Sequence, residues 1–150
     1  MKSPVARAAL TAALVVGGDQ GSKALVRAHV DYGSEDSVLP GITLTHTHNS
    51  GVAFGMFSKG GVVVAVVTAL ALVALLGFFT LNRERALAWL PTGLLLGGAI
   101  GNVIDRLRLD FVTDFIKLPA WPAFNVADMA ITFGVIALVY VIERPRARST

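Results

Sequence analysis

Residues 61–79 form a stretch of 19 residues without a single charge, and no other feature of the sequence constrains the fold as strongly. A helix of this length is about as long as the hydrocarbon core of a bilayer is thick, roughly 30 Å. A second uncharged stretch of 19 residues, 86–104, follows after the short polar connection 82–85. We therefore predict two antiparallel transmembrane helices joined by a short connection.

Two shorter apolar segments lie nearer the ends of the chain. Residues 8–18 run up to Asp19 and Lys23, and residues 129–142 follow Asp128. Each can cross a bilayer only if polar groups enter it, and such groups usually serve a function. Charged residues make up 15% of the chain, against roughly 25% in soluble domains, which argues against a soluble globule. The prediction is an all-α membrane protein, a single domain 1–150, with a bundle of four transmembrane helices at about 8–28, 60–81, 86–107 and 124–143.

The N-terminal segment has an alternative interpretation as a cleaved secretory signal peptide. Lys2 and Arg7 precede its apolar residues, as in the start of such a peptide. No good small-x-small cleavage site follows before Asp19, and Asp19 and Lys23 are spaced to pair on one helix face. We therefore favour a first helix that is retained.

The distribution of Lys and Arg predicts the orientation in the membrane. Seven of them lie in the N-terminal segment, the 82–85 connection and the C-terminal tail, against five in the two longer connections on the other side. This excess predicts that both termini are cytoplasmic. The arginines of residues 144–148 then anchor the topology and contact lipid headgroups, and we expect no nucleic-acid partner.

The connection after the first helix, residues 36–57, is expected to form a small extracytoplasmic β-sheet. Residues 42–48 alternate apolar or ring residues with threonines, the period of a strand. Pro40-Gly41 and Asn49-Ser50-Gly51 supply turn residues on either side.

The end of the third predicted helix combines small and polar residues. Gly97 and Gly101 form a small-xxx-small ridge, which packing against another helix explains without any further role. Asn102 and Asp105 share a helix face. Together with Arg106 they place an amide, a carboxylate and a guanidinium at the outer end of a span, where the two nitrogen groups can donate to a peptide backbone or a carboxylate.

Two aspartates, Asp114 and Asp128, are predicted to lie at similar depth on the outer side. If they are close, both cannot ionise, so one keeps a proton while the other can accept one from water. This chemistry would permit hydrolysis of amide bonds. Alternatively, each aspartate pairs with a neighbouring Lys or Arg.

A metal site is not expected. His46 and His48 share a strand face, but the chain has no cysteine, and His29 is the only other histidine. The sequence also lacks the glycine-rich loops typical of nucleotide binding, so we expect no cofactor.

Four motifs follow one another along the chain: Asp19-Gln20-x-Ser22-Lys23; Asn49-x-Gly51-x-Ala53-Phe54-Gly55; Gly98-x-x-Gly101-Asn102-x-x-Asp105-Arg106 with Val112-x-Asp114-Phe115; and Phe124-Asn125-x-Ala127-Asp128. Together they resemble the lipoprotein signal peptidases (signal peptidase II), the membrane aspartyl peptidases that remove signal peptides from bacterial prolipoproteins. Each motif alone is weak, whereas all four in this order, on four predicted spans, are very specific.

The resemblance implies that Asp114 and Asp128 are the catalytic aspartates. It implies substrate-binding roles for Asn49, Gly51, Asn102, Arg106 and Asn125, and structural roles that support the site for Asp19, Lys23, Phe54, Gly98, Gly101, Asp105 and Ala127. It also implies a diacylglyceryl-modified prolipoprotein substrate cut just before the lipidated cysteine, and inhibition by globomycin. The expected location is the bacterial cytoplasmic (inner) membrane, with the active site at the extracytoplasmic face and the protein acting as a monomer.

Three features depart from the family pattern. Asp110 stands where the family usually has glycine, and its carboxylate could perturb the pKa of Asp114 or pair with Arg106 or Arg108. The connection from Asp114 to Asp128 is short, and Met129 replaces a small hydroxyl residue. Two other functional classes, a proton-coupled transporter and a non-catalytic assembly subunit that dimerises through its glycine ridge, remain as alternatives.

Overall fold

The computed structural model describes residues 3–50, 60–82, 85 and 87–143. Four helices and three strands follow along the chain: α1 (Pro4–His29), β1 (Glu35–Leu39), β2 (Ile42–Asn49), α2 (Gly60–Asn82), α3 (Trp89–Leu109), β3 (Val112–Lys117) and α4 (Val126–Glu143). A mostly helical chain with a small sheet is therefore confirmed. Residues 51–57 of the predicted outer loop lie outside the described residues.

The helix boundaries differ from the predicted ones by a few residues. Helix α1 begins at Pro4, because proline is well suited to the first helical turn. Helix α3 begins at Trp89 rather than at residue 86, and Leu87 before it has a positive φ of 69°, which a continuing α-helix does not permit. Helix α4 begins at Val126, since Asn125 is the residue that caps it.

Helix α4 is long and apolar enough to cross a membrane, and it is the one helix in the described part of the chain that meets this test. Helix α1 carries Asp19, Lys23 and Arg27, whose charges lower its hydropathy.

Helix α3 packs closely against both α1 and α4 through glycines. A Cβ atom added at Gly97 would lie 2.7 Å from Val15 Cβ on α1, and one added at Gly98 would lie 2.5 Å from the carbonyl oxygen of Ala127 on α4. Such distances are shorter than real contacts allow, so these positions require glycine. The glycine ridge thus serves packing within one chain, and the proposed dimerisation face is occupied.

The three strands form one antiparallel sheet in the order β1-β2-β3. Strand β2 pairs with β3 in a register that places Thr47 opposite Asp114 and Asn49 opposite Val112. Residues 112–117 are therefore a third strand, which joins the hairpin of β1 and β2 across a long separation in sequence. This pairing brings the end of β2 beside Asp114.

Candidate active site

Asp114 lies on β3 and is 2% exposed. Its Oδ1 accepts a hydrogen bond from Asn125 Nδ2 at 2.6 Å, and its Oδ2 accepts one from Asn49 Nδ2 at 2.9 Å. Two neutral amides thus hold the carboxyl group without neutralising it. Asn49 reaches this position because it ends the strand that pairs with β3.

Asp128 lies in the first turn of α4, where a reciprocal cap fixes it. The backbone N–H of Asp128 donates to Asn125 Oδ1 at 3.0 Å, and the backbone N–H of Asn125 donates to Asp128 Oδ2 at 3.3 Å. This arrangement satisfies two amides at the helix N-terminus, as a capping box does. Asn102 Nδ2 donates to the other oxygen, Oδ1, at 2.8 Å.

Asn125 connects the two aspartates, because its side chain bonds Asp114 while it caps Asp128. Neither aspartate forms an ion pair with any Lys or Arg that the structure describes. The alternative in which each aspartate serves as a salt-bridge partner therefore finds no support among these residues.

The pKa of Asp114 is raised to about 6. Burial is the largest cause, and the charge of Asp128 raises the pKa further, while the amide bonds from Asn49 and Asn125 lower it. A carboxyl group with this pKa keeps its proton to higher pH than an ordinary aspartate does, and of two neighbouring carboxyl groups one can hold a proton while the other is ionised. Such a pair can supply both a general acid and a general base.

A buried lysine orients Asn102. Lys23 Nζ donates to Asn102 Oδ1 at 2.9 Å and also lies 2.8 Å from Asp19 Oδ2 and 3.3 Å from Asp105 Oδ2. Because its oxygen accepts from Lys23, the amide nitrogen of Asn102 faces Asp128. The i,i+4 pairing of Asp19 with Lys23 that the spacing predicted is present, and it lies in the interior of the protein.

Asp19 also joins α1 to the start of α4. Its Oδ1 accepts the backbone N–H of Ala127 at 2.9 Å, so a carboxylate lies at the positive end of the α4 dipole. A Cβ atom at Gly101 would lie 2.5 Å from Asp19 Oδ2, and glycine there leaves room for the carboxylate.

Two further residues, Gln20 and Arg27, join this network, although the sequence assigned neither of them a role. Gln20 Nε2 lies 3.0 Å from both the Gly101 carbonyl oxygen and Asp105 Oδ1, and Arg27 Nη1 donates to Thr113 Oγ1 at 3.1 Å. Gln20 belongs to the first motif, and Arg27 follows Lys23 by four residues on the same helix. That helical spacing was the available signal.

Three predicted site residues are not brought into this network. Arg106 is partly exposed, and in the described part of the chain its one hydrogen bond goes to the carbonyl oxygen of Asn102, 3.4 Å away on its own helix. It therefore does not hold either aspartate. Gly51 and Phe54 lie outside the described residues. No group of three or more potential metal ligands occurs among the described side chains.

Known proteins are similar to this chain in sequence and in fold over nearly its whole length. A peptidase family described as "Signal peptidase (SPase) II" matches residues 11–143. The chain is 43% identical to the lipoprotein signal peptidase of Moorella thermoacetica over 138 residues, 91% of this chain and 92% of that protein. It is 39% identical to the lipoprotein signal peptidase of Chlorobium phaeobacteroides over 150 residues, 90% of this chain and 94% of that protein.

Solved structures of bacterial membrane enzymes are also similar to this chain. A bacterial membrane enzyme solved at 1.9 Å has a TM-score of 0.83 and 30% identity, and the match covers 95% of this chain and 96% of that one. A second, solved at 2.3 Å, also has a TM-score of 0.83 at 28% identity, over 97% of this chain and 96% of that one. The protein is thus a membrane enzyme, and the chain belongs to the signal peptidase II family.

Proposed function

We propose that Asp114 and Asp128 are the catalytic pair with which this member of the signal peptidase II family cleaves signal peptides from prolipoproteins. The assignment depends above all on the contacts of Asn125. Its side-chain nitrogen donates to Asp114, and its side-chain oxygen accepts the backbone N–H of Asp128. The raised pKa of Asp114 supports it further, because the pair needs one proton at the start of the reaction.

In the proposed reaction, protonated Asp114 donates its proton toward the oxygen of the scissile carbonyl. Ionised Asp128 accepts a proton from a water molecule, and the water oxygen attacks the carbonyl carbon. A neutral gem-diol forms, with the proton of the pair now on Asp128. Asp128 gives this proton to the departing amine nitrogen as the C–N bond breaks, and one diol hydroxyl gives its proton to Asp114. The products are a carboxylic acid and an amine, and the pair again holds a single proton on Asp114.

The substrate class follows from the family, and we assign diacylglyceryl-modified prolipoproteins cut just before the lipidated cysteine. Asn49, Asn102 and Asn125 surround the two carboxyl groups and keep their oxygens in fixed directions. Arg106 lies near the outer end of α3 and is partly exposed. We assign it to the substrate backbone, whose carbonyl oxygens it can bind as a donor.

The proposed topology has four spans, both termini in the cytoplasm and the sheet outside the inner membrane. Helices α1 and α3 end, and α4 begins, beside the sheet and the two aspartates, so these three helices share one outer end. In this topology, α2 crosses the membrane from the outer side back to the cytoplasmic side, between α1 and α3 in the chain. The distribution of Lys and Arg gives the orientation. Because each described part of the site comes from the same chain, we propose that a monomer suffices.

The decisive experiment is cleavage of a diacylglyceryl-modified prolipoprotein by the purified protein in detergent with a chelator present. Wild type should cut before the lipidated cysteine, and globomycin should inhibit the reaction. Asp114→Asn and Asp128→Asn should each lose at least about 1,000-fold in activity. Asp110→Asn, which changes a carboxylate four residues from Asp114, serves as the matched control and should keep wild-type activity. Substantial activity in either dyad variant would refute the assignment.

A transporter is the less well supported alternative. Proton-coupled carriers place their carboxylates near the middle of the membrane. Here Asp114 lies on a strand of the sheet and Asp128 in the first turn of α4. Both positions are at the end of the helices rather than at their middle.

A further inference from the structure

A stack of aromatic rings lies at the end of β2, next to the residue that contacts Asp114. The His48 ring stacks on Phe111 with centroids 3.5 Å apart and an angle of 18° between the planes. Tyr32 lies 4.4 Å from His48 in a tilted arrangement, and His46 lies 5.3 Å away, edge to face. His48 therefore contacts the connection after α1 and the turn before β3 at once.

The two strands at this point are held in different ways. On β3, the backbone N–H of Thr113 donates to Asp105 Oδ2 at 3.1 Å, and Thr113 Oγ1 accepts from Arg27. Helices α1 and α3 thus anchor β3 directly. His48 is paired with Thr113, and because the Thr113 N–H turns toward Asp105, this is a non-hydrogen-bonded pair of the antiparallel ladder, in which the facing side chains lie closer together.

Asn49 is the last residue of β2 and the one whose amide bonds Asp114. Strand ends open more easily than strand centres, since fewer neighbours hold them. The His48 ring lies on the opposite face of the strand from the Asn49 side chain. It therefore does not approach the carboxyl group, but it can prevent the last two pairs of the ladder from opening.

We propose that His48 is a positioning residue that acts through its ring: stacked on Phe111, it keeps β2 closed and so holds the Asn49 amide on Asp114. This inference rests on the proposed function of Asp114. His48 acts as an uncharged ring, consistent with its pKa, which burial lowers first and the charges of His46 and Arg27 lower further. Tyr32 and His46 are the other titratable groups in the stack. Arg27 of α1 donates to Thr113, the β3 residue that is paired with His48.

The first test compares His48→Ala with Asn49→Ala in the prolipoprotein assay across pH. The Asn49 bond lowers the pKa of Asp114, so losing it raises that pKa and Asp114 keeps its proton to higher pH. Both variants should lose on the order of 10-fold in kcat. Both should also move the basic limb of the pH profile upward by roughly half a unit or more.

Three further variants separate positioning from other roles. His48→Phe keeps a stacking ring and should restore kcat and the basic limb. His48→Ala combined with Asn49→Ala should be no worse than Asn49→Ala alone, because both changes remove the same bond. Ile42→Ala, at the other end of β2, is the control and should behave as wild type. Additive losses, failure of the Phe variant to restore activity, or a higher KM with an unchanged pH profile would overturn the proposal.

Amide hydrogen exchange of the detergent-solubilised protein tests the same inference without catalysis. Amides of residues 47–50 should exchange about 10-fold faster in His48→Ala and at the wild-type rate in His48→Phe. Unchanged exchange in His48→Ala would refute the positioning role even if Asp114 is catalytic. If Asp114→Asn stays active while exchange follows the ring, the dyad assignment fails and the role of His48 in holding β2 stands.

Discussion

Asn125 Nδ2 lies 2.6 Å from Asp114 Oδ1, and this bond joins the strand of one aspartate to the cap of the helix that carries the other. The same side chain accepts the Asp128 backbone N–H through its oxygen. One amide therefore orients both carboxyl groups. The connection between residues 114 and 128 is short but long enough for this contact. The chain reverses after β3 and pairs Phe124 with Ile116 in an antiparallel bridge, which brings the start of α4 next to Asp114.

Asn125→Ala should damage both activity and stability. Loss of the cap should lower the free energy of unfolding by about 1 kcal/mol, and loss of the bond to Asp114 should lower kcat about 100-fold. Thr132→Ala is the control, since Thr132 donates to the Asp128 carbonyl oxygen from an exposed position on the same helix. Prolipoprotein cleavage and thermal unfolding measure the two effects. Full activity of Asn125→Ala would contradict the bridging role.

Asp114→Asn should change how stability depends on pH. The folded state raises the pKa of Asp114 from 3.8 to about 6, so it binds the proton more tightly than the unfolded chain does. This contribution to stability is complete below pH 3.8 and is lost as pH rises through about 6. A shift of this size corresponds to on the order of 3 kcal/mol.

Thermal unfolding of wild type and Asp114→Asn between pH 4 and 8 checks this expectation. Relative to the variant, wild type should become less stable as the pH rises, with most of the change around pH 4–6. Asp110→Asn is the control, because the Asp110 carboxylate of wild type has no ion pair with a described Lys or Arg. Its curve of stability against pH should run parallel to that of wild type. Parallel curves for wild type and Asp114→Asn would mean that the pKa of Asp114 is not raised.

Gly101→Ala should disturb the buried charged residues Asp19, Lys23 and Asp105, which lie next to the catalytic pair. The new Cβ would lie 2.5 Å from Asp19 Oδ2, whose neighbours Lys23 and Ala127 depend on its position. Overpacking of this kind costs about 1–3 kcal/mol, and we expect at least a 10-fold loss of kcat as well. Gly21→Ala is the matched control, because nothing lies within 4 Å of its added Cβ and alanine favours a helix. Equal stability of the two variants would contradict the close packing.

The sequence predicted the parts of this site that depend on local spacing. Asp19 and Lys23 are one helical turn apart, and their pairing follows from that. The bond from Lys23 to Asn102 spans 79 residues, and no periodicity predicts it, because it depends on how closely α1 and α3 approach. The bond from Asn49 to Asp114 depends in the same way on a strand pairing between distant segments.

Asp110→Gly should stabilise the protein and leave its catalysis unchanged. Asp110 ends α3 in the left-handed region, at φ 65° and ψ 2°, with its N–H bonded to the Arg106 carbonyl oxygen. This explains why glycine suits the position, since glycine adopts this conformation without steric cost. The sequence left open that Asp110 perturbs Asp114 or pairs with Arg106 or Arg108. Asp110 is not among the causes of the Asp114 shift, and no such pair occurs among the described residues.

Backbone strain therefore predicts a definite order of stability at position 110. Glycine should exceed aspartate by about 1 kcal/mol, asparagine should equal aspartate because it tolerates the left-handed region, and Asp110→Ala should be the least stable. Thermal unfolding of the four proteins measures this order, and the pH profile of prolipoprotein cleavage should be the same for Asp110→Gly as for wild type. A displaced basic limb in Asp110→Gly would mean instead that the Asp110 carboxylate acts on the dyad, and the strain argument would not account for the residue.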